Sequence, residues 1–266
     1  MDDGLNNDAR LAVIKKRLRL MSQFAQQINM SKWAEQSAAA QDRYIRIRGE
    51  SLRAVSLNDS SPLCGFGKSG DAKTVATVLR HFDDEGRTPR KLAKKDHERK
   101  RERRLQSYII KQALMSQRNL LGKNTFECLS REFDKLVFAL DEVSFGDNNN
   151  APVIRCDLLA VGQVGDEIFP VVVELKSNRQ LERLDDQLEI AARHVVATYQ
   201  EAKQLLEAVT GLKLNSQRIG KVLVWPGKRE RPETTEFRRN NPDIKFVEYG
   251  DEYYQNPADV TFKLRD

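Results

Sequence analysis

Residues 167–176 read Glu167-Ile168-Phe169-Pro170-Val171-Val172-Val173-Glu174-Leu175-Lys176. A near-continuous β-branched run of this kind suits a strand buried on both faces. Side chains alternate across a strand, so Val171, Val173 and Leu175 share one face while Val172, Glu174 and Lys176 share the other. A carboxylate and an ammonium therefore stand side by side at the end of an apolar strand, where isolated charge is costly to bury. The preceding run, VIRCDLLAVG over 153–162, poses the same question, because Asp157 sits where an apolar residue is expected.

If the two strands pair, Asp157 and Glu174 converge, and a hard cation such as Mg²⁺ favours such oxygen donors. Lys176 then stands where it can orient a water, help deprotonate it, or offset charge on a phosphate. The plainer reading of Glu174 and Lys176 is a salt bridge at a strand end.

On either side of this pair the pattern stays orderly. LVFALDEVSF over 136–145 is strand-like, and DNNNAP over 147–152 is a turn. Residues 180–209 carry Leu184, Leu188, Ala191, Val195, Ala202, Leu206 and Val209 at helical spacing. RIGKVLVWPG (218–227) and IKFVEYG (244–250) supply two more strands. Upstream, residues 107–121 read as a helix, and residues 124–135 as an amphipathic helix with Phe126, Leu129 and Phe133 on one side. The order is helix, three strands, helix, two strands, which predicts an α/β fold for residues 107–266.

Residues 1–106 form a separate, mainly helical region. It holds a helix over 8–29, a short helix after Ser31, a hairpin over 43–57 turning at Gly49, a loop over 58–72 and a helix over 72–82. From Arg87 to Arg104 there are ten Lys/Arg against Asp96, Glu98 and Glu102, a local excess of +7 that exceeds the +6 of all 266 residues. Such a run is either a solvated helix or linker, or an arm that contacts phosphates.

The remaining composition excludes several classes. Cys64, Cys128 and Cys156 form no CxxC pair, and His81, His97 and His194 do not cluster, so neither a disulfide framework nor a zinc site is expected. Reduced thiols suit a cytoplasmic protein. There is no run of about 18 apolar residues to cross a membrane, and the N-terminus lacks the order of a signal peptide. His194 reads as a structural helix residue.

The stretch 122–249 resembles the PD-(D/E)xK nuclease superfamily, which includes many restriction endonucleases, Holliday-junction resolvases and Mrr-like enzymes. The family places an acidic residue on one strand and a (D/E)xK on the next, matched here by Asp157 and by Glu174-Leu175-Lys176. Cys156 stands where the motif's name has proline. Many members carry a glutamate on the first helix after a glycine and an aromatic residue. Gly122…Phe126-Glu127 resembles that pattern, with Glu132 as a rival. Some branches place a glutamine on the helix after the third strand, and Gln187 resembles it, although a surface glutamine reads the same way.

The resemblance implies a restriction-endonuclease-like core that hydrolyses phosphodiester bonds with Mg²⁺ or Mn²⁺. Asp157, Glu174 and Glu127 would hold the metal, and Lys176 and Gln187 would complete the catalytic set. Nucleic acid is the implied partner, with DNA the first expectation and RNA an open alternative that the sequence does not separate. A homo-oligomer is compatible with this reading. The alternative is a nuclease-fold protein that binds nucleic acid or assembles without turnover, against which the intact Asp157, Glu174 and Lys176 set argues.

Overall fold

The computed structural model describes residues 3–28, 43–48, 51–56, 62–65, 97–145, 154–176, 184–227, 232–250 and 260–265. The short helix expected after Ser31, the helix over 72–82, the turn over 147–152 and basic residues 87–96 lie outside them. Helix α1 spans Asp3–Ile28, and a three-stranded antiparallel sheet follows, with β1 (Arg43–Arg48), β2 (Ser51–Ser56) and β3 (Pro62–Gly65). The hairpin expected over 43–57 is β1 and β2. Part of the loop expected over 58–72 is instead β3, which pairs with β2.

Helix α2 spans His97–Met115, so it starts ten residues ahead of 107 and runs through the boundary placed between 106 and 107. Lys, Arg, Glu and Gln are strong helix formers, and the charged run extends the helix rather than interrupting it. After it come β4 (Lys135–Phe145), β5 (Ile154–Val164), β6 (Glu167–Leu175), α3 (Leu184–Ala197), α4 (Tyr199–Thr210), β7 (Gly220–Pro226), α5 (Pro232–Asn240), β8 (Ile244–Tyr249) and β9 (Phe262–Arg265).

The larger sheet has the order β4-β5-β6-β7-β8-β9. β4, β5 and β6 are antiparallel neighbours, β6, β7 and β8 run parallel, and β9 returns antiparallel at the edge. Parallel pairing needs a long crossover, and α3 with α4, then α5, supply the two crossovers. The mixed α/β architecture follows the expected element order, with α5 and β9 added. β6 is central, and Phe169 through Leu175 are buried without a break. A fully buried valine contributes about 1.5–3 kcal/mol, so Val171, Val172 and Val173 hold in place a strand that also has to bury Glu174.

Two helical expectations are corrected. The single helix over 180–209 is two helices, broken at Thr198, whose hydroxyl donates to the His194 carbonyl at 2.7 Å. Such back-bonding competes with the helix ladder and bends it. α4 ends at Gly211, where φ of 73° is the left-handed conformation that glycine adopts without strain. The amphipathic helix over 124–135 is instead a series of turns around one 3₁₀ turn, Glu127–Leu129. The Thr125 hydroxyl donates to the Leu120 carbonyl at 2.7 Å, and the N–H groups of Leu129, Ser130 and Glu132 bond three residues back. Phe126, Leu129 and Phe133 are nevertheless buried, so the apolar spacing marked the core contacts but not the backbone that makes them.

The described part of α1 joins the same core. Ile14, Leu18, Met21 and Ala25 are buried at helical spacing, and Arg19 pairs with Glu201 of α4 at 2.9 Å. On the sheet, Gly162 of β5 lies under Phe133 and beside Val171. A β-carbon there would come within 2.8 Å of Val171 Cγ2 and 3.0 Å of the Phe133 ring. Gly162→Ala should therefore overpack the core and lower unfolding stability by about 1–3 kcal/mol. Urea unfolding of wild type and variant measures this, and an unchanged midpoint would mean that Phe133 does not cover β5 as described.

Candidate active site

β5 and β6 pair with Leu158 opposite Val173. Extending that register by one residue sets Asp157 opposite Glu174, and directly opposed residues share a face. The Asp157 carboxylate accepts the Leu175 N–H at Oδ2, 2.7 Å away. Its own carbonyl accepts from Gln106 Nε2 of α2 at 2.9 Å. Lys176, the first residue past β6, directs its ammonium to Glu174 Oε1 and to Gln187 Oε1 of α3, the latter at 2.7 Å. The convergence of Asp157, Glu174 and Lys176 expected from alternation is therefore present, and Gln187 joins it. Asp141, a buried acid on β4, is opposite Leu158 and so faces away from Asp157.

Glu174 is only 2% exposed. Its second oxygen, Oε2, is buried without a hydrogen-bond partner among the described residues. A buried acceptor left unmade is costly, more so when charged. Burial, then the charge of Glu174, pushes the Asp157 carboxyl well above the usual carboxylate range, with Lys176 drawing it partly back. Burial likewise raises Glu174 against the pull of Lys176. Burial pulls the Lys176 ammonium down, but Glu174 and Asp157 outweigh it and leave its pKa raised, so Lys176 is a cation at neutral pH.

The third acid that acts on this cluster is Glu102, whose charge raises Asp157, Glu174 and Lys176 alike. It lies on α2 one turn before Gln106, so the two share the helix stripe that looks toward the start of β5. In the sequence Glu102 is one of three acids within a basic run. The signal that singles it out is its place four residues ahead of Gln106, on a stripe continued by the buried Ile109 and Ala113.

The structure does not bring Glu127 into this set. It is exposed on the 3₁₀ turn, beside β9, where burial, with a smaller contribution from the Glu127 charge, pushes the Cys128 thiol up to about 11. Glu132, its rival, pairs with Lys245 of β8. His194 lies in the last turn of α3, and its carbonyl accepts from Thr198.

Among the described residues no three His, Cys, Asp or Glu side chains form a ready metal cage. Mg²⁺ needs no such cage, because one or two carboxylates with water and substrate oxygens suffice. Asp157 and Glu174 fit that pattern, since a cation between them would relieve their repulsion and give Glu174 Oε2 a partner. A cleft of about 380 Å³ lies elsewhere, at the start of β8, lined by Arg238, Arg239, Lys245 and Arg265. Glu132 and Glu248 already pair with Lys245 and Arg265 there. Among the described residues no helix is long and apolar enough to cross a membrane.

The raised Asp157 pKa has a testable sign. A group that binds its proton more tightly when folded adds stability below its unfolded pKa, about 3.9 for aspartate, and that stability is lost as pH rises through the folded value. Asp157→Asn keeps a side-chain oxygen for the Leu175 N–H but cannot ionise. The variant should match wild type in stability near pH 3 and exceed it increasingly toward pH 8. Denaturant unfolding at both pH values measures the difference, and a variant less stable than wild type at pH 8 contradicts the assignment. No family model, curated protein or solved structure matches this chain.

Proposed function

We propose that this chain is a divalent-metal-dependent nuclease acting on DNA, with its centre at the ends of β5 and β6. The observation that carries the reading is the convergence of Asp157, Glu174 and Lys176 around a buried carboxylate oxygen that has no partner among the described residues. Perturbed titratable groups cluster at functional sites. Asp157 and Glu174 would hold Mg²⁺ or Mn²⁺, and Glu102 would act on the same cation in place of Glu127. When bound, the metal would lower the pKa of water and neutralise charge on the phosphate.

Hydrolysis forms a bond from a water oxygen to phosphorus and breaks the bond to the leaving sugar oxygen, with the attacking water giving a proton to solvent and the leaving oxygen taking one from solvent to become a hydroxyl. Lys176 is held between Glu174 and Gln187, where its ammonium can orient the water and offset phosphate charge. Gln187 accepts from Lys176 and holds its head group in place, and Gln106 anchors the Asp157 peptide. The first turns of α2 carry Arg99, Lys100, Arg101, Arg103 and Arg104 on the same helix as Glu102. Cations there would bind phosphates without reading sequence, which supports a nucleic-acid substrate.

Linear, circular and single-stranded DNA incubated with the protein should be cut with Mg²⁺ and left intact in excess chelator. Lys176→Ala and Asp157→Asn should each lower the rate by roughly a hundredfold or more. Glu102→Gln should also slow cleavage, while Glu127→Gln should cut at the wild-type rate. Wild-type rates in the Lys176 or Asp157 variants would overturn the proposal. Binding of DNA with no cleavage under any metal would favour the non-catalytic alternative.

A further inference from the structure

In a parallel pair each residue on one strand alternates its bonds with the residues on either side of its partner. The Lys176 N–H donates to the Val224 carbonyl at 2.8 Å. Continuing that ladder, the Lys176 carbonyl should accept from the N–H of residue 226. Residue 226 is proline, which has no N–H to give. The donor comes from further away, as the hydroxyl of Tyr249, at the end of β8, donates to the Lys176 carbonyl at 3.0 Å. β8 is two strands from β6, so the ring reaches past the end of β7.

Tyr249 is itself held. It is 1% exposed, and its carbonyl accepts the Gly227 N–H at 2.7 Å, the residue that follows Pro226. A β-carbon on Gly227 would lie 3.3 Å from that carbonyl oxygen, so the close approach suits glycine.

We propose that Tyr249 is a positioning residue for Lys176, supplying the main-chain bond that Pro226 withholds and so fixing the peptide from which the lysine reaches Glu174 and Gln187. Without it the Lys176 carbonyl has no donor among the described residues, at the point where β6 ends. The peptide can then turn toward another donor and carry the side chain with it. Small displacements of this kind cost rate rather than substrate affinity. The role rests on the nuclease reading for its consequence, but not for its geometry.

The test uses the full chain as wild type, Tyr249→Phe, and Tyr249→Phe combined with Pro226→Ala. The phenylalanine keeps the ring and removes only the hydroxyl, and the alanine restores an N–H where the ladder needs one. The first readout is the ¹³C resonance of the Lys176 carbonyl, which shifts upfield on losing a hydrogen bond. It should move upfield in Tyr249→Phe and return in the double variant. The second is Mg²⁺-dependent cleavage of linear duplex. In the single variant kcat should fall by roughly ten- to a hundredfold while KM stays within about twofold, and the double variant should recover kcat. An unmoved carbonyl resonance in Tyr249→Phe, or a double variant that regains neither signal, overturns the proposal. If wild type cuts no DNA, the nuclease reading fails, and the carbonyl resonance alone still decides whether Tyr249 holds Lys176.

Discussion

The register of β5 against β6 is the constraint on which the site depends. With Leu158 opposite Val173, the next pair outward is Asp157 and Glu174. A slip of one residue would send every side chain of one strand to the other face. Asp157 would then lie across the sheet from Glu174, and Lys176 would have one carboxylate nearby rather than two. The register is held by the apolar run itself, since Val171, Val172 and Val173 are fully buried and Phe133 fits over Gly162 beside Val171. The apolar core therefore does two things with one set of contacts. It stabilises the sheet, and it forces two acids side by side, Glu174 buried and Asp157 partly so.

That placement opposes stability. Asp157 and Glu174 are both harder to ionise in the folded chain than in water, and Glu174 Oε2 has no partner among the described residues. The surrounding bonds restrain the cluster without neutralising it. Gln106 anchors the Asp157 peptide, Gln187 shares the Lys176 ammonium, and Tyr249 holds the Lys176 carbonyl. A site whose carboxylates repel each other is one that a divalent cation would stabilise, and this links the strained electrostatics to the proposed chemistry.

Much of this arrangement is legible in the sequence, for a definite reason. A buried strand tolerates almost no charge, so Asp157, Glu174 and Lys176 stand out against their apolar neighbours, and alternation gives their face directly. Helical stretches carry less information. Phe126, Leu129 and Phe133 have the spacing of a helix stripe, yet a chain of 3₁₀ and irregular turns buries the same three residues. The expected helix glutamate, Glu127, therefore lies on a 3₁₀ turn and not on a helix. Glu102 is hidden by its company, because Arg101 and Arg103 flank it and the run reads as solvated charge until Gln106 ties the helix to β5. α5 carries its signals openly, with Pro232 and Glu233 at its start and Arg238 and Arg239 in its last turn. β9 is only four residues of alternating exposure at the sheet edge, too short for a pattern to stand out. The role of Tyr249 needs strand order as well as sequence, since only the parallel pairing of β6 with β7 turns Pro226 into a missing donor.

The claim that matters most is that the ends of β5 and β6 hold a divalent cation. Crystals grown with Mn²⁺ and measured at the manganese absorption edge test it without reference to any substrate. The account predicts one anomalous peak bound by the Asp157 and Glu174 carboxylates, lost in Asp157→Asn. Manganese bound only elsewhere on the chain, with the Lys176–Glu174 pair undisturbed, would contradict it.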